Sequence, residues 1–533
     1  MGKRALENIR VLSLGSIWMV PHITVQMVAM GAEVIRIENI SYFDFVRGLV
    51  NPPQPGWDTY PGGAPGPRPY NRNNYYNDTN WGVQEITLDL TNPKGRDIFF
   101  KYLKISDIVM ENFRYGVMEH DFNLGYEVLK EVKPDIIFLS APGYGNVGPE
   151  KEYVAFGANQ WHSMGMANIT GYPDSGPMQA PINYGDPTAS SHCTGTILAA
   201  LLYRNKTGKG QYIDVSQTEP GVGVIGEIML DYTMNGRLPA RTGNRHPYHA
   251  PHGCYRCMDE EQLLAISVGT EEEWQALCQA MGKPELASDP RFARLELRWE
   301  NRKQLDAIIE SWTSSLPRYE AMLPLRRAKV RAFVPGGFMD IQRPYQRLLA
   351  PHNYYRCKPL DRWVTIACTN EQEWRALCHA MGKPELITEP RFANSLVRWN
   401  NQDQLDNIIA EWTNYQESYS VMHALQPAGV PSAPVLTVAD VIHEPHHRTR
   451  HYYKLQPHTE SLTVFGPCHA WLMSKTPRVL ERASPCLGEH NEYFYGELLG
   501  MTKDEMAQLE REQIIGKDAL PSADGTVPRQ KKG

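Results

Sequence analysis

The first 220 residues alternate between short apolar segments and longer segments in which apolar residues recur at helical spacing. Two of the longer segments are PKGRDIFFKYLK (93–104) and LGYEVLKEVK (124–133). Strands that alternate with helices are typical of a parallel sheet covered on both faces. We therefore expect an α/β fold here, with ligand sites in the loops at the carboxyl ends of the strands. The predicted strands are IRVLSL (9–14), EVIRIE (33–38), SDIVME (106–111) and PDIIFLS (134–140).

Residues beyond 245 contain an internal repeat with a constant displacement of 100 residues. PHGCYRC (251–257) recurs as PHNYYRC (351–357), and EEEWQALCQAMGKPEL (271–286) recurs as EQEWRALCHAMGKPEL (371–386). A third pair of segments, 289–313 and 389–413, follows at the same offset. Chance does not produce such a constant offset, so the pattern indicates a duplicated structural unit.

These patterns divide the chain into a large domain built from two separate parts and a smaller domain that contains the repeat. The C-terminal residues lose apolar periodicity and end in GTVPRQKKG, which is typical of a disordered tail. The predicted boundaries are 1–220 and 428–510 for the large domain, 245–345 and 346–427 for the two repeat copies, and 515–533 for the tail.

The composition of the chain argues against a nucleic-acid-binding, membrane or secreted protein. The 533 residues carry 54 Lys and Arg against 60 Asp and Glu, which gives a net charge of -6 without a basic surface for nucleic acid. No apolar run approaches the ~20 residues that cross a membrane, and the N-terminus lacks a signal-peptide pattern. Nine cysteines without framework spacing favour reduced thiols. We expect a cytoplasmic protein with no membrane or nucleic-acid partner.

Two motifs resemble a dinucleotide-binding site and a metal site, but the surrounding sequence argues against both. GVGVIG (221–226) matches a dinucleotide-binding fingerprint, but no acidic residue stands at a strand end about twenty residues later. We interpret it as a closely packed helix. His246, His249, His252, Cys254 and Cys257 are crowded together, yet the second copy has Tyr354 in place of Cys254. A duplicated zinc site would keep its ligands in both copies, so we expect no metal site.

Asp186 offers the clearest candidate chemistry. It precedes Pro187 and the apolar segment TGTILAALLY, which predicts a carboxylate at the buried N-terminus of a core helix. Free backbone N–H groups and the helix dipole favour negative charge there. The residue pattern fits either an ordinary helix cap or a carboxylate nucleophile.

From residue 6 to about 500 the chain resembles the class III CoA-transferase family, which includes carnitine CoA-transferase, formyl-CoA transferase and acyl-CoA racemases. No single segment is diagnostic, but their combination is specific. The matching segments include MGAEVIRIE (30–38), DIVMENFRYGV (107–117), PDIIFLSAPGYGNVGP (134–149), GD (185–186), LLYRNKTGKGQYIDVS (201–216) and AGVPSAPVLTVADV (428–441).

The resemblance implies a Rossmann-like large domain, a smaller α+β domain and a homodimer of two interlinked rings. It assigns the catalytic role to Asp186, which would move CoA from an acyl-CoA to a carboxylic acid through an aspartyl anhydride and an aspartyl–CoA thioester. Acyl-CoA and the acid are substrates, and no tightly bound cofactor or metal is implied. The CoA-binding residues that we predict are Arg36, Asn112, Phe113, Arg114, Gly143, Tyr144 and Gly145, where Arg36 and Arg114 would substitute for cations that the family has elsewhere.

Several positions depart from the family pattern. A basic stretch of the form N-R-N-K-R-S is replaced by NWGVQE (80–85), and a glutamine of formyl-CoA transferase is replaced by Trp18. The His–Asp pair of the racemases is replaced by Ala155 and Phe156, which favours transferase over racemase or epimerase activity. Because of the lost cations, a non-catalytic CoA-binding or scaffold homologue is a further alternative.

Overall fold

The computed structural model describes most of the chain and divides it into two units. One unit comprises Met1–Arg241 and Ile442–Gly533, and the other comprises Thr242–Val441. Part of the proline-rich sequence NPPQPGWDTYPGGAPGPRP (51–69) and the end of the predicted tail lie outside the described residues. Those residues are 4–52, 60–172, 175–179, 184–246, 249–258, 262–333, 350–359, 361–467, 469–479 and 481–521.

A six-stranded parallel sheet forms the centre of the first unit, which confirms the α/β prediction. Its spatial order is β3-β2-β1-β4-β5-β6, and in register Leu12 lies between Ile35 and Val109. The central strands are buried on both faces, so they read as continuous apolar runs rather than as alternating patterns. The strands are β1 (Arg10–Ser13), β2 (Glu33–Glu38), β3 (Gln84–Thr87), β4 (Ile108–Glu111), β5 (Ile137–Ser140) and β6 (Gln211–Asp214).

Helices cover both faces of this sheet. On one face, Met19 and Ile23 of α1 pack with Ala189 and Ile197 of α7. On the other, α3 begins at Pro93 after the Asn92 cap and buries Phe99 and its neighbours. The helices of this part are α1 (Met19–Ala29), α2 (Asn74–Thr79), α3 (Pro93–Lys104), α4 (Tyr126–Val132), α5 (Gly157–Ser163), α6 (Met166–Ile169), α7 (Gly185–Thr207), α8 (Glu219–Val222) and α9 (Gly226–Asn235).

In its described residues, the second unit contains two antiparallel three-stranded sheets, each accompanied by four helices in the same order. The strands are β7 (His252–Arg256), β8 (Leu263–Ser267), β9 (Arg331–Phe333), β10 (His352–Cys357), β11 (Arg362–Ala367) and β12 (Ser432–Pro434). The helices are α10 (Glu271–Ala280), α11 (Leu295–Glu300), α12 (Arg302–Thr313), α13 (Arg318–Arg327), α14 (Glu371–Ala380), α15 (Ser395–Asn400), α16 (Gln402–Thr413) and α17 (Ser418–Leu425).

Equivalent positions in the two halves of this unit make equivalent contacts. Arg298 forms an ion pair with Glu271 at 2.7 Å and donates to the carbonyl of Ala250. At an offset of 100 residues, Arg398 pairs with Glu371 at 2.7 Å and donates to Ala350. Buried arginines held this way explain why the repeated sequences retain these charged positions.

The chain then returns to the first unit and closes its core. The Tyr495 hydroxyl donates to the carbonyl of Thr87 on β3 at 2.7 Å. Ile515 is fully buried and Gly516 N–H donates to the Thr87 hydroxyl at 2.8 Å, so the first residues of the segment predicted as a tail pack against the first unit. The remaining elements are α18 (Val438–His443), which contains the unit boundary, α19 (Pro445–Thr449), β13 (Tyr453–His458), β14 (Leu462–Pro467) and α20 (Lys503–Arg511). None of the described helices is long and apolar enough to cross a membrane.

Candidate active site

The spatial order of the parallel strands reverses between β1 and β4, where the loops that follow them diverge and leave a crevice. Asn112, directly after β4, holds this crevice in shape. Its side-chain oxygen accepts from Ser16 N–H at 2.8 Å, and its side-chain nitrogen donates to Ser16 O at 3.1 Å. The predicted residue Asn112 therefore joins two loops at the crevice.

Asp186 is the second residue of α7, and its side chain is only 9% exposed. The helix begins two residues earlier than the Asp–Pro pattern suggests, since Tyr184 rather than Asp186 occupies the cap position. Ser190, one turn later, donates to the carbonyl of Met19 at 2.7 Å and fixes α7 against α1. Burial raises the pKa of Asp186 to about 6, while its own backbone N–H opposes this shift. Most of the carboxyl group is therefore ionised at neutral pH.

Two glutamines that we did not single out from the sequence support the start of α7. Gln217 donates to the carbonyl of Ala141 at 2.5 Å and accepts from the side-chain nitrogen of Gln160 at 2.7 Å. This chain of bonds turns the Gln160 oxygen towards Gly185, where a Cβ atom would lie 2.6 Å from it. A side chain at 185 would require Gln160 or Met164 to move, so glycine permits this close approach beside Asp186. Among the described residues, this buried oxygen has no hydrogen-bond partner.

Asp186 lies on the wall of a cavity of about 320 Å³. Four residues that the sequence predicts for the site, Asn112, Phe113, Arg114 and Gly143, contribute to the same wall. The cavity thus brings the predicted carboxylate together with most of the predicted CoA-binding residues. The other lining residues are Ser16, Ile17, Val117, Tyr153, Val154, Ala155, Phe156, Gly157, Gln160 and Gln217.

A second cavity of about 200 Å³ shares Ser16, Ile17, Phe113 and Phe156 with the first. Arg36 lies on its wall but is almost completely buried. Its guanidinium forms ion pairs with Asp44 and, at 3.1 Å, with Glu38. The positive charge of the predicted residue Arg36 is therefore balanced by two carboxylates of the protein.

The remaining predicted residues differ in their relation to the cavity. The Arg114 guanidinium pairs with Asp121 at 3.0 Å and stays partly exposed. Tyr144 is absent from the described lining, and its hydroxyl lies 3.0 Å from that of Ser163. Gly145 has a φ of 78°, which favours glycine. The following residue, Asn146, holds this turn through hydrogen bonds to the Asp214 carboxylate.

Strain marks the loop between β1 and α1. Ile17 lies on the wall of both cavities with a φ of 68°, a conformation that β-branched residues rarely adopt. Its N–H donates to both oxygens of the Asp44 carboxylate at 3.0 Å. Sequence offered no signal for this contact, because the two residues are far apart in the chain and neither belongs to a motif.

Glu111, the last residue of β4, holds the loop that follows this strand through hydrogen bonds. Its carboxyl accepts from Phe113 N–H at 2.6 Å and from the Ser140 hydroxyl. Burial raises the pKa of Glu111 to about 8, so the group is mostly neutral at pH 7. Glu111 belongs to the segment DIVMENFRYGV (107–117), which matches the family. That match was the one sequence signal that could have pointed to this residue.

The glycine-rich segment 221–226 lies in and between α8 and α9. A Cβ at Gly221 would approach the Met164 sulfur to 2.2 Å, so this glycine allows close packing, as the helical interpretation predicts.

The segment NWGVQE (80–85) stands where the family has its basic stretch. Its Trp81 is buried, and its Glu85 is buried in β3. Burial raises the pKa of Glu85 well above its usual range. The cations of the family therefore have no equivalent at these positions.

Comparison with known proteins identifies the family of the chain. A model of CoA-transferase family III matches residues 6–334 and 334–491. The succinyl-CoA–D-citramalate CoA-transferase of Chloroflexus aurantiacus is 32% identical over 58% of this chain and 73% of that protein. The acetyl-CoA:oxalate CoA-transferase of Acetobacter aceti is 32% identical over 64% of this chain and 82% of that protein.

Among solved structures, a CAIB/BAIF family protein from Brucella suis shares the fold. It superposes with a TM-score of 0.55 at 23% identity, and the match covers 93% of this chain and 100% of that one. The family match extends over most of the chain, and the curated relatives are CoA-transferases. The chain is therefore a CoA-transferase and belongs to CoA-transferase family III.

Proposed function

We propose that Asp186 carries the reaction, accepting an acyl group and CoA in turn while CoA passes from an acyl-CoA to a carboxylic acid. The observation that carries this proposal is a largely ionised carboxylate at the buried start of α7, on the wall of a cavity. A carboxylate suits the task because its acyl derivatives are reactive enough to exchange without a metal.

Each step of the proposed reaction balances. An oxygen of Asp186 attacks the donor thioester carbon, forming a mixed anhydride and releasing CoA thiolate. The thiolate attacks the aspartyl carbonyl, giving an aspartyl–CoA thioester and the free donor acid. The acceptor carboxylate attacks this thioester and releases thiolate again, leaving a new anhydride. Thiolate then attacks the acceptor's acyl carbon, which yields the new acyl-CoA and restores the Asp186 carboxylate.

Backbone groups near Asp186 supply the stabilisation that the tetrahedral intermediates need. The first N–H groups of α7 and the turn at Gly143–Gly145 are suited to donate to an oxyanion. The turn is fixed by Asp214, so its amides need little reorganisation. Anhydrides hydrolyse readily, so the apolar walls of the cavity would also serve to exclude water.

CoA itself would extend along the two adjoining cavities. We assign contacts to Asn112, Phe113, Arg114, Gly143 and Gly145, of which Arg114 supplies the charge for a phosphate. Arg36 would then act from behind the second cavity by holding Asp44 and Glu38 in place. Tyr144, which is hydrogen-bonded to Ser163, would shape the loop rather than contact CoA.

The same proposal includes a homodimer of interlinked rings. A contiguous stretch of the chain exposes large apolar side chains, which monomeric proteins seldom leave in water. These are Val224, Met229, Leu230, Tyr232, Met234 and Leu238, in and around α9. We also propose that the matching halves of the second unit arose by duplication. We further propose that the protein works in the cytoplasm. The eight described cysteines are free thiols, and a cytoplasm would keep them reduced.

Racemase activity fits the cavity less well. Ala155 and Phe156, at the positions of the racemase acid–base pair, both line it and bear no titratable group. Two-base proton exchange at the acyl α-carbon needs such a partner. In deuterated water, the acyl α-proton should therefore not exchange during turnover.

The proposal is tested with purified protein, acyl-CoA donors and carboxylic acids, by following new acyl-CoA through mass spectrometry. Asp186→Ala should abolish transfer, whereas Asp97→Ala, which removes an exposed carboxylate of α3, should leave it unchanged. Transfer that survives in Asp186→Ala would overturn the proposal. A wild-type protein that binds CoA without any exchange would instead support the non-catalytic CoA-binding alternative, and one with neither binding nor exchange would support the scaffold.

A further inference from the structure

Apolar side chains make up much of the wall around Asp186. Six contribute, namely Ile17, Phe113, Val117, Tyr153, Val154 and Phe156. Three of these are exposed although they are apolar, with 61% of Tyr153, 54% of Val154 and 57% of Phe156 accessible. Exposed apolar side chains that converge on a catalytic carboxylate are suited to cover an apolar substrate group.

Charge on the same wall is sparse. Among the described lining residues, Arg114 is the single cation and Asp186 the single anion at neutral pH. Arg114 already pairs with Asp121 at 3.0 Å. Nearby Lys151 lies outside this lining and donates to the Tyr115 hydroxyl at 3.0 Å. A second carboxylate on the acyl group would have to enter an apolar site beside the ionised Asp186. Its one cationic partner on the described wall would be Arg114, which it would share with Asp121, so burying this charge would be costly.

The dimensions of the cavity permit a bulky acyl group. An apolar cavity of about 150 Å³ suffices for benzene, whereas the cavity beside Asp186 measures about 320 Å³. Room therefore remains for the thiol end of the CoA arm next to a ring or a branched chain.

We propose that the acyl groups transferred by this enzyme are bulky, apolar and monocarboxylic, with Val154, Tyr153 and Phe156 excluding dicarboxylic ones. The inference rests on the proposed function, since it assumes that the acyl group is bound beside Asp186. A cation introduced on this wall would then shift the preference towards dicarboxylic substrates.

Self-exchange tests the preference without knowledge of the natural donor–acceptor pair. Each acyl-CoA is incubated with its own ¹³C-labelled acid, and label entering the thioester gives kcat/KM for that acyl group. Phenylacetyl-CoA should exchange at least about tenfold faster than succinyl-CoA, a margin that an apolar pocket can supply. Equal rates, or faster succinyl exchange, would overturn the inference while leaving CoA transfer intact.

Val154→Arg should lower the phenylacetyl-to-succinyl ratio by at least about tenfold. Val147→Arg is the matched control, because Val147 belongs to the same connection, is 76% exposed and does not line the cavity in the described structure. If Val154→Arg does not fold, Tyr153→Lys serves the same purpose. A ratio that does not change, or that changes equally in Val147→Arg, would contradict the assignment. Absence of exchange with every acyl-CoA would instead refute the proposed function, and this inference with it.

Discussion

At the scale of single residues, Asp186 combines two opposing requirements. The proposed reaction needs the ionised carboxylate, but burial favours the protonated form and raises the pKa from 3.8 to about 6. The helix N-terminus and the backbone N–H of Asp186 counteract this effect only in part. Holding the proposed nucleophile in a buried position therefore lowers the free energy of unfolding of the protein at neutral pH.

This penalty predicts a pH-dependent stability difference between wild type and Asp186→Asn. Between pH 4 and 6 the folded wild type binds more protons than the unfolded chain, so its stability falls as pH rises through that window. At pH 7 the Asn variant should be more stable by about 2–3 kcal/mol, and at pH 4 the difference should vanish. Urea unfolding at both pH values measures this. A variant less stable than wild type at pH 7 would contradict the burial argument.

Gln217 acts on Asp186 through Gln160. In Gln217→Leu, the buried Gln160 nitrogen loses its acceptor, which costs about 1–3 kcal/mol and lets the start of α7 move. We expect kcat to fall at least tenfold with little change in KM, as steady-state kinetics will show. His162→Leu, on the exposed side of α5, is the control. An equal loss in both variants would mean that α5 as a whole, not the glutamine chain, positions Asp186.

At the scale of elements, the loop between β1 and α1 depends on Asp44. This buried carboxylate pairs with Arg36 and holds Ile17 in its left-handed conformation. Asp44→Ala would leave the Arg36 charge under-compensated, which we expect to destabilise the protein by about 3–5 kcal/mol. Asp97→Ala, on exposed α3, should stay within about 0.5 kcal/mol of wild type by the same denaturant titration. Comparable stability of the two variants would refute this role for Asp44.

The sequence allowed a good prediction of these parallel strands, because a strand buried on both faces consists of a short run of consecutive apolar residues. IRVLSL contains β1, and PDIIFLS contains β5. Asp186 could be selected as a candidate for a similar reason, since the helix start and the apolar helix follow it directly in the sequence. Ile17, Gln160 and Gln217 were missed because their roles arise from contacts between distant segments. Arg36 matches the family position, yet its burial between Asp44 and Glu38 was not visible without a structure.

At the scale of the whole molecule, the exposed apolar side chains around α9 carry the expectation of a dimer. In Met234→Lys/Leu238→Lys, two charges would have to be buried in the proposed interface, at a cost of several kcal/mol. We expect the variant to shift from dimer to monomer in sedimentation velocity. Leu455→Lys, at an exposed position of β13, should leave the association state unchanged. A variant that remains dimeric would place the interface elsewhere.

The central claim is that Asp186 itself is acylated during turnover, and isotope labelling tests it most directly. When the acceptor carboxylate carries ¹⁸O, its attack on the aspartyl thioester leaves one labelled oxygen bridging the new anhydride. Attack of thiolate on the acyl carbon then leaves that oxygen on Asp186. The account predicts that, after a single turnover, the peptide containing Asp186 is heavier by the mass difference of one ¹⁸O atom, while peptides with other aspartates are unchanged. Active enzyme without ¹⁸O in that peptide would contradict it.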